Sequence, residues 1–326
     1  MQIDVNQQEH FFKGLFHVLN EDNFNYVVLH SWQTLPESAT SDVDMLISAD
    51  EKKRLPLLLK NVETTTGWRF VQKLWYDVPW CFYYVAVSPD GKTSAALDFM
   101  SDPKGIGEYR IKDSQILPHR VFSGFLYHLS TEAELAYKLA KRRVKGIFRE
   151  ADVDFVNEYF RRSALTILRE RMAELLPVRV SEELLALIGD GCKLDELRDY
   201  MATHSPAFVL FGRRWRIKLG LSWFVNTIRR IVFRMINSTG AVVYLKDGKA
   251  AENLQIPWFV FRREKIISAS ALSWKRKFVA LSSATFLKVV GAEREGFDLG
   301  SGFVAFEGGD KCSEMFRAMA GRKCSI

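Results

Sequence analysis

The chain has 326 residues, 48% hydrophobic and 26% charged, which excludes a disordered or low-complexity polymer and leaves room for two domains of about 150 residues each. The formal net charge is +7, and the cations Arg213, Arg214, Arg216, Lys218, Arg229, Arg230 and Arg234, with no acid among them, account for that whole excess. Met1–His10 lacks the basic start and apolar core of a secretory signal, no uncharged apolar run reaches the roughly 18 residues of a membrane span, and Cys81, Cys192, Cys312 and Cys324 show no CxxC spacing, so the sequence predicts a cytoplasmic protein with reduced thiols and neither a disulfide frame nor a zinc site.

In chain order, Phe12, Leu15, Phe16 and Leu19 recur at helical spacing within 9–20. Tyr26–Leu29 and Val43–Ile47 read as short strands, and Glu51–Val62 as a helix with Leu55, Leu58 and Leu59 inward. Trp68–Trp75 and Trp80–Val87 are rich in aromatic and β-branched residues and read as paired strands; the turn Ser88–Lys92 leads into a further strand, Ser94–Met100. This order predicts a small mixed sheet flanked by helices.

Beyond residue 114 the pattern becomes helical. Thr131 and Glu134 have capping-box spacing and open a helix running to about Gly146. Lys138, Lys141, Arg142 and Lys145 form a basic stripe on that helix, with two readings: a solvated face, or a cleft wall holding phosphate through Lys138 and Lys141. Further helices are expected at 152–175, 181–190, 193–203 and about 221–236, and strands at 240–247 and 302–310 with mixed sequence between them. The expected class is α+β, with a mixed-sheet domain over 1–115, a helical domain over 116–236 and an irregular tail over 237–326.

The chemistry is carried by Asp42-Val-Asp44 at the start of an apolar strand. A side-chain period of two puts both carboxylates on one face, where they repel unless a hard cation such as Mg²⁺ neutralises them. Asp98, flanked by Leu97 and Phe99, is a third strand acid that needs a partner, and it joins the pair if the two strands are neighbours. Asp152-Val-Asp154 repeats the spacing at the start of a helical pattern and reads as a helix cap. His30, His119 and His128 stand apart and read as structural histidines.

The stretch from Leu29-His30-Ser31-Trp32 through Leu35-Pro36 to Ser41-Asp42-Val43-Asp44 resembles the nucleotidyltransferase superfold, in the form found at polysaccharide-biosynthesis loci; the resemblance covers roughly residues 20–150. It implies that Asp42, Asp44 and Asp98 hold Mg²⁺ and carry catalysis. It also implies that Ser31 and Ser41 contact the nucleotide, and that a nucleoside triphosphate gives its nucleotidyl group to a small-molecule acceptor such as a sugar. The family turn normally carries Gly-Gly or Gly-Ser where this chain has His30-Ser31. Gly302–Asp310 resembles the first strand and phosphate-loop entry of thymidylate kinase-like proteins, but Lys311-Cys312-Ser313 follows in place of a Walker motif, so no kinase activity is expected. Two alternatives accompany the enzyme reading: a remnant of a bifunctional kinase-like protein, and a non-catalytic nucleotide-binding module beside polysaccharide enzymes. The 213–236 segment reads either as a packing helix or as a basic amphipathic helix on an anionic membrane at its inner face; no nucleic-acid partner is expected.

Overall fold

Alternation along apolar strands sends one set of side chains to each face of a seven-stranded mixed sheet. A computed structural model describes residues 5–39, 41–75, 81–90, 93–105, 111–191, 193–205 and Ile228, together with segments 240–245, 264–268, 286–290 and 303–307. Its elements begin with α1 (Val5–Glu21), β1 (Tyr26–Val28), β2 (Val43–Ile47), α2 (Leu55–Thr66), β3 (Arg69–Trp75), β4 (Cys81–Val87), β5 (Ser94–Met100), β6 (Arg120–Phe122) and β7 (Tyr127–Leu129). The helices α3 (Thr131–Lys145), α4 (Glu150–Arg162), α5 (Leu165–Leu175), α6 (Val178–Gly189) and α7 (Leu194–Thr203) follow. The strand order is β3-β4-β5-β2-β1-β7-β6; β2/β5 and β1/β7 are parallel, and the other neighbours antiparallel.

The two faces bury different cores. Tyr26, Val28, Met45, Leu97 and Phe99 pack with Phe12 and Phe16 of α1 and Leu59 of α2. Val27, Leu29 and Leu46 point the other way and join the core of α3–α7. The architecture is therefore an α+β arrangement with helices on both sides of a mixed sheet.

The α1–α2 contact leaves no spare volume. A Cβ on Gly14 would sit 2.3 Å from Cγ2 of Thr66. Thr66 is held in place, since its hydroxyl donates to the Val62 carbonyl at 2.7 Å and accepts from the Trp68 N–H at 3.2 Å. Overpacking of this kind costs about 1–3 kcal/mol, more than the roughly 1 kcal/mol that alanine adds as a helix former. Gly14→Ala is expected to lower the midpoint of urea unfolding; an unchanged or higher midpoint would show that the interface has slack.

Several elements differ from the sequence reading. The helix expected over 152–175 is two helices. Ser163 is extended (φ −83°, ψ 141°), its hydroxyl donates to the Tyr159 carbonyl at 2.7 Å, and the Ala164 N–H donates to Glu132 Oε1 at 3.0 Å. These bonds compensate the interruption, which the apolar period passes over. The sheet also continues past residue 115, because β6 and β7 add to its β1 edge. Strands of three residues are too short for alternation to register.

The region 237–326 is not an irregular tail throughout. Strands β8 (Gly240–Leu245), β9 (Glu264–Ser268), β10 (Phe286–Val290) and β11 (Phe303–Glu307) form a second sheet in the order β11-β8-β10-β9, parallel at every pairing. β8 and β11 fall where strands are expected, whereas β9 and β10 lie in sequence of mixed character. Short apolar runs distinguish strand from helix poorly. The expected helix over 221–236, and with it the basic 213–236 segment, lies outside the described residues apart from Ile228, as does the chain after Glu307. Among the described residues no helix is long and apolar enough to cross a membrane.

Candidate metal and nucleotide site

Period-two alternation puts Asp44 on the Leu46 side of β2 and Asp98 opposite to Leu97 and Phe99, so both acids face the α3 side of the sheet. β2 and β5 pair in parallel with Asp44 opposite Asp98, and on the other side of β5 Asp98 is opposite Tyr83 of β4. Asp42, just before β2, completes the group: one carboxylate oxygen from each of Asp42, Asp44 and Asp98 lies within 4.8 Å of the others.

Such proximity is electrostatically costly. Asp98 is only 8% exposed, and burial, followed by the charges of Asp44 and Asp42, pushes its carboxyl well above the usual carboxylate range. A hydrogen bond from the Cys81 thiol at 3.4 Å and the charge of Lys141 act in the opposite direction. The Tyr83 hydroxyl is raised too, by burial and then by Asp42, Asp98 and Asp44. Two side-chain bases answer this field at Asp44 Oδ2, His30 Nε2 at 2.7 Å and Lys141 Nζ at 3.6 Å. Three oxygen donors at this spacing, one of them buried against its neighbours' charge, fit a hard divalent cation such as Mg²⁺.

A pH dependence follows. The folded-state pKa of Asp98 lies above its ordinary 3.8, so folding takes up a proton there. The associated stability is fully present below the unfolded value and is lost as pH rises through the folded one. Asp98→Asn, which keeps the shape and removes the charge, is expected to raise the neutral-pH melting temperature of the metal-free protein and flatten its decline with rising pH. A lower melting temperature across the whole range would contradict this account.

A cavity of about 480 Å³ opens beside the acids. Asp42, Asp44 and His30 contribute to its wall, and so do Lys138, Lys141, Arg142 and Lys145 of α3. The basic stripe thus shares the cavity wall with Asp42 and Asp44, while Asp98 is not among the lining residues. Asp152 fixes the stripe from behind: its Oδ1 accepts from Arg142 at 2.7 Å and lies 3.1 Å from Lys138 Nζ, while Oδ2 accepts from the Arg149 N–H at 2.9 Å and caps α4. Burial works to raise Asp152's carboxyl, but these three partners outweigh it and hold it below the usual range. Lys138 is lowered, chiefly by burial, against the pull of Asp152.

Other expected site residues lie apart. Ser31 and Ser41 are exposed and do not line the cavity. The left-handed backbone of the turn falls at Ser31 (φ 57°, ψ 29°), where glycine would be unstrained. The Ser41 hydroxyl donates to the Asp42 carbonyl at 3.3 Å. The histidines are not isolated: besides His30 on Asp44, His119 meets Glu174 at 2.6 Å and His128 stacks on Trp32 with ring centroids 3.6 Å apart.

Glu134 was legible only as a capping partner. The N-cap of α3 is instead Ser130, whose hydroxyl accepts from the Ala133 N–H at 3.4 Å. Glu134 lines the cavity, and its Oε2 accepts from Trp32 Nε1 at 3.2 Å and from the Tyr159 hydroxyl at 3.0 Å. Cys81 is a buried thiol against the acidic cluster; Cys192, Cys312 and Cys324 lie outside the described residues.

No protein-family model matches the sequence, and no curated protein matches it either.

Proposed function

We propose that this chain is a metal-dependent nucleotidyltransferase, taking a nucleoside triphosphate into the cavity between β2 and α3. It transfers the nucleotidyl group to a hydroxyl or phosphate of a small-molecule acceptor, such as a sugar. The observation that carries the reading is a cluster of three carboxylates, two of which, Asp42 and Asp44, line one cavity together with a stripe of cations. Carboxylates alone repel a polyphosphate, and cations alone offer no seat for a hard ion; the two together complement a metal-bound phosphate chain. Asp42, Asp44 and Asp98 would hold Mg²⁺, which when bound neutralises phosphate charge. Lys138 and Lys141 bind and orient the phosphates. Asp98 would also help deprotonate the acceptor hydroxyl. The nucleotidyltransferase-like pattern over residues 26–47 agrees with this division of roles, and a cytoplasmic location is part of the same proposal.

A second reading, nucleotide binding without turnover, is favoured by His30. Its ring nitrogen already engages Asp44, at a turn position where the resembling family carries glycine. Asp98 is turned inward and Trp32 does not line the cavity, and both observations weigh toward the enzyme.

The test is a thermal-shift screen of the full chain with Mg²⁺, non-hydrolysable nucleoside triphosphates, and both together. Stabilisation that requires both supports the reading, and release of pyrophosphate from a hydrolysable nucleotide with an acceptor separates turnover from binding. Absence of any nucleotide- and Mg²⁺-dependent shift would overturn it.

A further inference from the structure

The end of β2 remote from Asp42 and Asp44 opens onto a second cavity, of about 620 Å³. Its wall is polar: Asn25 before β1, Ser48 and Asp50 after β2, Asp113 from the turns before β6, and Arg120 and Tyr127 of the β6–β7 hairpin. Arg120 is the only cation among the described residues that line it. Its guanidinium is fixed in position. Nη1 donates to Asn25 Oδ1 at 2.6 Å and to the Tyr26 carbonyl at 3.3 Å, and the group lies 4.4 Å from the centroid of the Tyr127 ring. Asn25 is itself held, its N–H donating to Glu51 Oε1 at 3.2 Å and its carbonyl accepting from the Ser48 N–H at 3.1 Å.

These contacts leave the other edge of the guanidinium, Nε and Nη2. Neither atom has a hydrogen-bond partner among the described residues, and neither is among the polar atoms closed to solvent, so both are open. The N–H groups of Nε and Nη2 are parallel, a fork that matches the two oxygens of one carboxylate. The other charges of the wall decide between anions. Asp50 and Asp113 outnumber Arg120, so the cavity repels a dianion such as phosphate but not a carboxylate that carries its own positive charge. Asp50 is exposed, and its carboxylate has neither an ion pair nor a hydrogen bond among the described residues.

We propose that this second cavity binds a small zwitterion of the amino-acid class, its carboxylate taken side-on by Arg120 Nε and Nη2 and its ammonium lying in the field of Asp50 and Asp113. The site is separate from the acidic cluster and does not rest on the nucleotidyl-transfer reading.

Thermal-shift titration of the full chain tests it, with glycine, γ-aminobutyrate and lysine as amino acids, and acetate and inorganic phosphate as anions without a positive charge. At least one amino acid is expected to bind about 10-fold or more tightly than either anion. Arg120→Lys keeps the charge but not the paired donors, and is expected to weaken that amino acid about 10-fold or more. Asp50→Asn alters an exposed side chain and leaves Arg120 in place, so it reports on the site even if Arg120→Lys unfolds the chain. It is expected to narrow the amino acid's advantage over acetate about 3-fold or more, by weakening attraction for the ammonium and repulsion of the lone carboxylate together. No amino acid bound more tightly than acetate, or an advantage unchanged in either folded variant, overturns the site.

Discussion

Asp44→Asn is expected to abolish the joint stabilisation by Mg²⁺ and nucleotide, with the chain still folded. Asp44 is the residue on which the site converges: it is one of the three clustered carboxylates, it is opposite Asp98 in the sheet register, and it receives His30 and Lys141. A ligand present at about 100 times its dissociation constant stabilises the folded state by about 2.7 kcal/mol, and a variant that binds about 100-fold more weakly loses most of that. The ligand-free protein is affected in two opposing ways. Removing the charge relieves repulsion on Asp98, and it also leaves His30 and Lys141 without the anion they share. The ligand-free melting temperature is therefore expected to move little beside the lost shift. Stabilisation of Asp44→Asn equal to that of the unaltered chain would remove Asp44 from the metal site.

Asp152→Ala is expected to cause the largest loss of stability, about 3–5 kcal/mol, because it strips a buried carboxylate from two cations it pairs with and from the cap of α4. Asp152 is 2% exposed, so water does not replace it. Asp152→Asn, which can still accept from the Arg149 N–H, is expected to cost distinctly less. Denaturant unfolding of both variants checks the order, and equal losses would show that the ion pairs alone matter and the cap contributes nothing. The pH sign is opposite to that of Asp98. Asp152's folded-state pKa is depressed, so its stabilisation is present above the unfolded value, ordinarily 3.8, and is lost as pH falls through the folded one. Metal-free protein is thus squeezed from both sides, by Asp152 in acid and by Asp98 as pH rises.

The acidic cluster was legible because its signal is local. Two acids at i and i+2 on an apolar strand share a face whatever the tertiary structure, and a lone acid between Leu97 and Phe99 points away from theirs. Only the adjacency of β2 and β5 had to be supplied, and the register supplies it. His30's contact with Asp44 was not legible, since it depends on how the turn after β1 folds back on β2. Glu134 was misassigned because Ser130 and Thr131 are both suitable caps and the three-residue spacing to Glu134 picks the second; with Ser130 as the cap, the glutamate reaches Trp32 and Tyr159. The α4–α5 break, β6, β7, β9 and β10 escaped for a different reason. Each is too short, or too close to the surrounding pattern, for a periodicity argument to detect.

The order of the large sheet has a kinetic consequence. β2 pairs with β5 rather than with the strand that follows it, and β1 pairs with β7 at Val28 and His128, 100 residues apart in the chain. The hairpin β3–β4 and its extension to β5 can form from neighbouring sequence, but the two parallel pairings close long loops before any contact repays them. Asp98 comes to lie beside Asp44 only after the first of these closures, and α3 follows β7 directly in sequence. The cavity is consequently a late product of folding, and a partly folded chain exposes neither the clustered acids nor the facing cations as a working pair.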